Sequence, residues 1–532
     1  MSPGQRGTLL AAILGSGMVF LDSTLVNVAL PRIGEELRTT LFSTLEAQSY
    51  VYNAYLLTLS ALLVVGGAWS DQRGRRRAFV LGLVGFGVTS VLCGVAPTME
   101  TLIAFRIMQG AAGALLVPVS LALLTAGFEG EDQGRAFGLW AGASALSTIV
   151  GPFVGGVLVD TVSWRLAFLI NAPLAAVAVW ASVRWVAESR DDQATGYVDW
   201  WGAVVVALAV GGLTLGAIRG QQQQWQDPVA FTALAVGAAA AVTVPFRMLW
   251  ARHPLVPPDL FRSRNFTVTN LSTVVIYGGL YVVLYLLVIH MQGTLGYTAA
   301  AAGVAQIPSL VFLAVFSARF GALASRYGPR RFMAGGPALM AIAVLWLVRL
   351  PSTSDAWSLR LGDVSSLVPP VGYLRDVLPA MTLLGVGLVI MVAPLTTALM
   401  RSVEVRHAGV ASAVNNALSR VGPQLAGALI FVAVTASFYG ALAGRVPRLD
   451  VSSPDVRNQL SPLNPPLGEV GPDVAVATRE ASTRAFHVAM VLAAALFGGG
   501  AVINAVGIRD PQRPGEALAA TVPGGVPQIP SA

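Results

Sequence analysis

The sequence predicts an all-α polytopic membrane protein with fourteen transmembrane helices. Only 11% of its 532 residues are charged and its mean hydropathy is +0.67, whereas a soluble domain carries about 25% charged residues. Apolar runs of about 20 residues, enough for a helix to cross ~30 Å of hydrocarbon, recur along the whole chain. Because the lipid interior offers the backbone no hydrogen-bonding partner, we interpret these runs as helices.

Each predicted span is an apolar run, and most of the connections between spans are short. Short connections make consecutive spans antiparallel neighbours. The exceptions are 351–375 and 439–484, two long segments rich in Pro, Ser and Asp. The predicted spans, in chain order, are 8–30, 48–69, 78–97, 101–126, 135–158, 164–185, 199–219, 228–250, 266–292, 301–325, 331–350, 376–400, 408–438 and 485–508.

The distribution of arginine predicts the orientation in the membrane. If the N-terminus is cytoplasmic, the short inward loops hold sixteen arginines and the short outward loops hold seven. Basic residues accumulate on cytoplasmic loops, so both termini are predicted to be cytoplasmic. The net charge of +7 is therefore a topology signal, and we expect no nucleic-acid partner.

Arginine supplies all 34 basic residues, which we interpret as the mark of a bacterial, GC-rich genome. Cys93 is the only cysteine, so the chain can form neither an intramolecular disulfide nor a cysteine-based metal cluster. No Walker-type GxxxxGK[ST], GxSxG or His/Cys cluster is present. The sequence thus gives no indication of an enzyme, an ATP-driven pump or a metal site.

One loop motif occurs twice. GAWSDQRGRRR (67–77) follows the second span, and GALASRYGPRR (321–331) follows the tenth. The offset of eight spans predicts two six-helix halves with two extra helices between them, an arrangement of repeats that is typical of transporters. The predicted division is a first half 1–185, a linker 186–265 with the two extra spans, a second half 266–508 and a disordered cytoplasmic tail 509–532.

Several motifs, in order and on the expected spans, resemble the fourteen-span drug:proton antiporter-2 family of the major facilitator superfamily. They are LDSTLVNVALP (21–31), GAWSDQRGRRR (67–77), LIAFRIMQGAAGALLVP (102–118), STIVGPFVGG (147–156), WRLAFLINAPL (164–174) and HAGVASAVNNALSRVG (407–422). The resemblance spans residues 8–508. It implies alternating-access export of amphipathic drugs, antibiotics or natural products through the cell membrane, driven by the proton gradient without a cofactor.

Asp22 and Arg106 are the charges that clearly lie inside spans of the first half. Asp22 is eight residues from the outer end of the first span, and Arg106 is five residues from the outer start of the fourth. At ~1.5 Å per residue the two lie at comparable depth, and an intramembrane acid is usually functional. We expect Asp22 to exchange a proton and Arg106 to tune its affinity. The alternative is a static ion pair that only joins two helices.

The first copy of the loop motif combines glycines, an acid and a basic cluster. Topology alone explains the arginines, but not the spacing of Gly67, Asp71 and Gly74. The acid can pair with Arg135 at the start of the fifth span, or cap a helix N-terminus in the opposite half. The family resemblance implies a gate at the cytoplasmic side, formed by Gly67, Asp71, Gly74, Arg75 and Arg135.

The fifth span carries small residues at intervals of four. STIVGPFVGG, with Gly151, Pro152, Gly155 and Gly156, resembles the antiporter motif of the superfamily. Small residues at this spacing let helix backbones approach closely. They form either a sealing face between the halves that prevents proton leak, or ordinary tight packing.

Polar and aromatic residues within other spans are candidates for the wall of a substrate cavity. Each either bonds across neighbouring helices or faces the substrate, and the sequence does not separate these roles. The candidates are Asn27, Tyr52, Asn53, Tyr55, Gln109, Asn415, Asn416 and Arg420.

The sequence therefore predicts a monomeric, proton-driven drug exporter whose partners are the bilayer, protons and a small amphipathic substrate. Export of an endogenous lipid or metabolite is one alternative. A membrane sensor or scaffold that transports nothing is another, but a scaffold needs neither the Asp22–Arg106 pair nor Asp71. A channel is a further alternative, and the repeated inward loops favour a rocking carrier over it.

Overall fold

The structure, a computed structural model, describes residues 1–38, 44–190, 199–222, 227–359, 363–466 and 468–510. Within these ranges every regular element is a helix, which confirms the all-α fold. Residues 511–532 lie outside the described ranges, so the disorder expected for the tail stays a prediction.

The helices follow one another through the chain with short breaks. The first ten are α1 (Pro3–Glu36), α2 (Thr44–Arg73), α3 (Arg75–Gly94), α4 (Met99–Gly113), α5 (Leu116–Gly127), α6 (Gly130–Thr161), α7 (Leu166–Leu169), α8 (Asn171–Trp185), α9 (Trp200–Gln222) and α10 (Pro228–Trp250). The others are α11 (Asp259–Arg262), α12 (Arg264–Ile289), α13 (Ala299–Val304), α14 (Ile307–Tyr327), α15 (Arg330–Leu347), α16 (Leu378–Arg401), α17 (Ala408–Arg445), α18 (Pro454–Gln459) and α19 (Pro472–Gly507). Two π-helical turns, His290–Thr294 and Tyr373–Val377, extend α12 and precede α16.

Helical segments that can span a membrane overlap the predicted spans, although the last begins at Pro472 rather than at the predicted 485, and the one before it continues to Arg445 rather than ending at 438. In the described part of the chain, thirteen are long and apolar enough to cross a bilayer. They cover every predicted span except 135–158, which lies within α6. Several α6 side chains lie outside the described ones, and the exact count of fourteen stays a prediction.

Some helix ends lie where capping residues in the sequence predict them, and others do not. Ser2, Thr98, Asp227, Ser263 and Thr298 each accept a backbone N–H at the start of α1, α4, α10, α12 and α13. Such side-chain caps satisfy backbone donors that have no partner within the helix. The predicted end of the first span at residue 30 is wrong, because α1 continues through position 31 to residue 36. Proline is tolerated within spans when neighbouring helices satisfy the backbone that it frees.

Buried apolar side chains form separate cores in two groups of helices. In the described residues, two neighbouring cores join α1–α8, which we call the first helix group. Another core joins helices of the range α12–α19, the second helix group, in which α14 packs against α16. One core of the first group also takes in Ala408 and Ala411 at the start of α17, so the groups meet there. The domain boundaries at 185, 265 and 508 stay predictions.

Helices α9 and α10 form an antiparallel hairpin beside the two groups. Their backbones approach so closely that a Cβ at Gly212 would lie 2.8 Å from the Cα of Gly237. Helix α9 packs against α2 of the first group and α17 of the second. The opposite face of α10 exposes Val242, Phe246 and Leu249, an apolar surface suited to lipid. The hairpin therefore lies along one side of the seam between the groups.

Candidate functional site

Asp22 on α1 and Arg106 on α4 form a buried ion pair. Arg106 Nη1 lies 2.6 Å from Asp22 Oδ2, and both side chains have 0% exposure. The structure thus confirms the proximity that their matching depth predicts. An Arg in a low-dielectric interior binds a carboxylate strongly only when other hydrogen bonds satisfy the remaining polar atoms.

Two amides, Gln109 on α4 and Asn171 on α8, complete the coordination of Asp22. Gln109 Nε2 and Asn171 Nδ2 each donate to Asp22 Oδ1 at 3.0 Å. Gln109 Oε1 accepts from Arg106 Nη1 at 2.8 Å. Asn171 also donates to Ser90 Oγ at 3.0 Å. Helices α1, α3, α4 and α8 are therefore joined by one polar network inside the first helix group.

Aromatic rings and a backbone carbonyl enclose Arg106. Its guanidinium carbon lies 4.0 Å from the ring centre of Tyr55 and 5.7 Å from that of Phe168. Its Nε donates to the carbonyl of Val51 at 3.1 Å. These contacts hold the cation in place beneath α2, since a desolvated guanidinium over an aromatic face is attracted by the ring.

Two candidates for the cavity wall belong to this network instead. Tyr55 is fully buried and donates its hydroxyl to the carbonyl of Val19 at 3.3 Å. Gln109 is also fully buried, between Asp22 and Arg106. Of the two roles that the sequence leaves open for them, contact with neighbouring helices is the one present in this conformation, because both side chains are turned toward the ion pair.

Sequence reasoning missed Asn171 and Ser90. Both lie in apolar spans and are fully buried. The signal for Asn171 was present, because it is the amide within the motif WRLAFLINAPL. A single amide in an apolar helix needs a partner, and Asp22 was available at a compatible depth.

At one end of the bundle, Asp71 joins the two helix groups. We call this end, which carries Arg73 and Arg75–Arg77, the Arg-rich end. Asp71 accepts the backbone N–H groups of Gly409 at 3.0 Å and Val410 at 2.9 Å, at the start of α17. A carboxylate at a helix N-terminus satisfies free donors and interacts favourably with the helix dipole. The cap on the opposite half, one of the two predicted partners, is what the structure contains.

The other predicted partner, Arg135, is not at this contact. Arg135 is exposed on α6, whereas Arg75 pairs with Asp71 at 2.8 Å and is itself buried. Arg75 also donates to the carbonyl of Val405 in the second helix group. Arg75 pairs with Asp71 because it lies only four residues away and directly follows the turn at Gly74. The φ of +112° at this turn suits glycine.

Close backbone packing accompanies this contact. The carbonyl of Gly409 touches Gly67 so closely that no side chain fits at residue 67. On the other side of the bundle, Ser317 Oγ of α14 donates to the carbonyl of Gly138 on α6 at 2.6 Å. Arg401 Nε donates to Gln133 Oε1 at 3.1 Å. The two helix groups are thus in direct contact across the Arg-rich end.

The glycines of the antiporter motif face a different neighbour. A Cβ at Gly151 would lie 2.8 Å from Thr24 Cβ, and one at Gly155 would lie 2.9 Å from Leu25 Cδ2, both on α1. The face of α6 that meets the second helix group is instead formed by Gly134, Gly138 and Gly142. The motif therefore packs within the first group in this conformation. The side-chain environments of Pro152 and Gly156 lie outside the described ones.

Polar residues of α17 differ in their partners. Asn415 Nδ2 bonds across to Asn270 and Thr273 of α12, at 3.1 and 2.9 Å. Asn416 donates to the carbonyl of Ser412 at 2.9 Å on its own helix. Arg420 is half-buried, and among the described residues it has no hydrogen-bond or ion-pair partner.

The remaining cavity candidates lie on α1 and α2. Tyr52 and Asn53 are half-buried on α2. Tyr52 lies near Arg420 of α17 and Tyr281 of α12. The side chain of Asn27 on α1 lies outside the described ones.

The fold and this arrangement define a class: a multi-pass helical membrane protein whose two helix groups meet at one end around a buried charge network. The family model of the Major Facilitator Superfamily matches residues 12–427. The chain belongs to this superfamily of membrane transporters, which confirms the resemblance that the motifs carry.

Curated relatives are resistance and export proteins. The methylenomycin A resistance protein of Bacillus subtilis (strain 168) is 30% identical over 80% of this chain and 86% of its own length. The tetracenomycin C resistance and export protein of Streptomyces glaucescens is 30% identical over 81% of this chain and 76% of its own. A puromycin resistance protein of Streptomyces alboniger is 32% identical over 83% and 84%.

Solved structures share the fold at low sequence identity. The human organic anion transporter MFSD10 (TETRAN) superposes with a TM-score of 0.59 and 12% identity, covering 95% of this chain and all of the other. The proton:xylose symporter XylE bound to 6-bromo-6-deoxy-D-glucose superposes with a TM-score of 0.54 and 15% identity, covering 94% of each chain. At these identities the likeness shows the fold alone.

Proposed function

We propose that this protein exports amphipathic drugs, antibiotics or natural products by exchanging them for protons through alternating access. The observation that carries the proposal is the Asp22–Arg106 pair, fully buried inside one helix group and held by amides from α4 and α8. The names of the relatives, which are resistance and export proteins for methylenomycin A, tetracenomycin C and puromycin, support a small-molecule substrate.

Asp22 is the proton carrier in this mechanism. While it is ionised, Arg106, Gln109 and Asn171 hold it within the first helix group. A proton from the outside neutralises the carboxylate and weakens its attraction to Arg106, which frees α1 and α4 to shift. Release of that proton to the cytoplasm restores the pair. Substrate is bound from the cytoplasm in the deprotonated part of the cycle and leaves on the outer side.

The contacts at the Arg-rich end act as the gate. The Asp71 cap on α17 and the Arg401–Gln133 bond join the helix groups at that end. Both contacts must break when the cytoplasmic side opens. The closed Arg-rich end corresponds to the conformation in which substrate has access to the outside. Gly67, Gly74 and Arg75 serve the same closure.

The proposal includes the membrane placement. The halves 1–185 and 266–508 rock against each other, and the linker 186–265 contributes the hairpin of α9 and α10 beside them. Both termini are cytoplasmic, by the arginine bias of the short loops. The protein works as a monomer in a bacterial cell membrane, uses the proton gradient and needs no cofactor.

Reconstituted transport tests the proposal. Proteoliposomes that contain the full-length protein are given an inward or outward pH gradient and a panel of puromycin, fluorescein, rhodamine 123 and ethidium. We expect at least one compound to accumulate against its gradient only when the pH gradient drives it, with loss on addition of nigericin. A panel that moves equally with and without the pH gradient, or does not move, would contradict proton exchange.

A further inference from the structure

We infer that Arg420 is an anion-recognition site in the seam between the helix groups, and that the preferred substrates are aromatic compounds with an acidic group. The inference rests on the proposed export function, because it names the chemistry of the molecule that is bound. It starts from the position of one arginine in the middle of a membrane-spanning helix.

The depth of Arg420 follows from the packing of α2 against α17. These helices run antiparallel and touch at Gly67 and Gly409. Tyr55 is twelve residues from the contact along α2, and Arg420 is eleven residues from it along α17. At ~1.5 Å per residue both lie roughly 17 Å from the Arg-rich end, near the middle of the bilayer.

The direction of Arg420 follows from helix geometry. It lies eleven residues from Gly409, about three turns along the helix, and so on the face of α17 that packs against α2 of the first helix group. Tyr52 of that group lies near it. Its side chain is half-buried rather than enclosed. The guanidinium therefore faces the seam between the groups, where a carrier of this architecture holds its substrate.

Arg420 differs from the other polar groups nearby because its donors are free. The amides of Asn415 and Asn416 donate to partners on α12 and on α17 itself. Within the described ranges the guanidinium of Arg420 has neither a hydrogen bond, an ion pair nor a ring contact. An arginine at this depth is costly unless it faces a water-filled cavity or a partner, so its planar set of donors is available to a ligand.

The local charge balance favours an anion. In the described spans, Asp22 is the acidic residue near the middle of the membrane. Arg106 already neutralises its charge, and the pair is buried away from the seam. Arg420 therefore leaves a positive charge that no described acid compensates. Guanidinium groups bind carboxylates in a bidentate manner, with two parallel hydrogen bonds, and phenolates with one.

Tyrosines on the two sides of the seam add an aromatic preference. Tyr52 on one side of the seam and Tyr281 on the other lie close enough to interact, and Tyr281 is 54% exposed. Their rings offer flat apolar faces with polar edges. A planar aromatic acid would place its ring between the tyrosines and its acidic group on Arg420.

Equilibrium binding of two xanthene dyes tests the inference without any pH gradient. The probes are fluorescein, which carries a carboxylate and a phenolate, and rhodamine 123, a cationic ester on the same ring system. Binding to the full-length protein in lipid nanodiscs is followed by fluorescence anisotropy, with empty nanodiscs subtracted. The variants are Arg420→Gln, Arg420→Lys and the control Arg349→Gln, which removes an exposed arginine stacked on Trp346 at 4.8 Å.

The wild type is expected to bind fluorescein about tenfold more tightly than rhodamine 123, the size of one charge-assisted hydrogen bond. Arg420→Gln should weaken fluorescein binding about tenfold and leave rhodamine 123 within twofold, which also shows that the variant is folded. Arg420→Lys should keep part of the preference, and Arg349→Gln all of it. No saturable fluorescein binding, tighter binding of rhodamine 123, or unchanged fluorescein affinity in Arg420→Gln would overturn the inference. Failure of proton-driven transport with intact fluorescein binding would instead overturn the proposed function.

Discussion

Arg106 Nη1 lies 2.6 Å from Asp22 Oδ2, and neither side chain is exposed. Removing one partner of a buried pair leaves an uncompensated charge and costs about 3–5 kcal/mol. A single substitution at either residue therefore disturbs stability as well as any proton chemistry. Substitution of a neighbouring residue such as Asn171, compared with a matched control, separates these two effects.

Substitution of Asn171 by Leu is expected to move the pH dependence of transport. Asn171 donates to Asp22 at 3.0 Å, and its loss removes a hydrogen bond that favours the ionised carboxylate. The midpoint of gradient-driven transport should shift upward by about one pH unit, the size of one hydrogen bond to a charged group.

The control for this prediction is Asn504→Leu. Asn504 is also a buried amide, but it donates to the carbonyl of Met333 in the second helix group. The same substitution there should leave the midpoint unchanged. Equal midpoints for wild type and Asn171→Leu would show that Asn171 only packs.

Replacement of Gly138 by Leu is expected to hold the Arg-rich end open. A Cβ at this position meets the backbone of α14, 2.5 Å from the Cα of Ala318. Transport should fall more than about tenfold, because closely packed helices cannot compress around a larger side chain and must move apart. In a Cys93→Ser background, maleimide labelling of Gln133→Cys should become faster, since Gln133 is buried at the closed end.

Gly335→Leu is the matched control, because nothing lies within 4 Å of a Cβ at Gly335 on α15. It should leave transport near the rate of the wild type, and labelling near the rate of Gln133→Cys without it. Slow labelling in Gly138→Leu would show that the α6–α14 contact is not needed for closure.

Asp71→Asn is expected to slow turnover more than it weakens binding. The amide still reaches α17, but it loses the charge that pairs with Arg75 and interacts with the helix dipole. We expect transport to fall about tenfold and substrate affinity to stay within twofold, because the contact is far from Arg420 and Tyr52. Asp259→Asn, an exposed acid paired with Arg262 at 2.8 Å, should change neither. Equal losses of turnover and affinity would contradict a gate.

Glu36 is expected to make stability depend on pH at the outer end of α1. The hydrogen bond from Trp164 Nε1, with the neighbouring Arg165, holds the pKa of Glu36 below its ordinary value of 4.5. A pKa that is lower in the folded state gives stabilisation that is complete above the unfolded value and is lost as the pH falls. The melting temperature, measured between pH 3.5 and 7, should fall once the pH is below about 4.5. This fall should be smaller in Glu36→Gln. The effect is small because Glu36 is partly exposed and its charge is screened by solvent. Identical curves of melting temperature against pH for wild type and Glu36→Gln would exclude a contribution from Glu36.

The sequence predicted the depth of charged groups well and their neighbours less well. The rise per residue gives the depth of Asp22 and Arg106 without knowledge of the packing, so their meeting could be predicted. The rotation of α4 and α2 could not be predicted, because it depends on how ridges on one helix meet grooves on another. The sequence therefore left open whether Gln109 and Tyr55 face a cavity or contact neighbouring helices, and both are turned toward the ion pair.

Contacts between distant segments could not be predicted from the sequence for a similar reason. The partner of Asp71 at Gly409 lies in the opposite helix group, and Arg135 was an equally reasonable partner by charge. Glycines at intervals of four indicated a close approach in the fifth span. They could not show that Gly138 meets α14 while Gly151 meets α1, because these glycines lie at different levels of one long helix.

The central claim is that Asp22 carries the proton, rather than only joining α1 to α4. The double variant Asp22→Asn, Arg106→Gln separates these roles, because it removes both charges and keeps hydrogen-bonding side chains in place. Uptake driven by a pH gradient is measured in proteoliposomes, beside exchange of the same compound without a gradient. We expect exchange to persist in the double variant and gradient-driven uptake to be absent. Gradient-driven uptake by the double variant at a rate near that of the wild type would contradict the claim and identify the pair as structural.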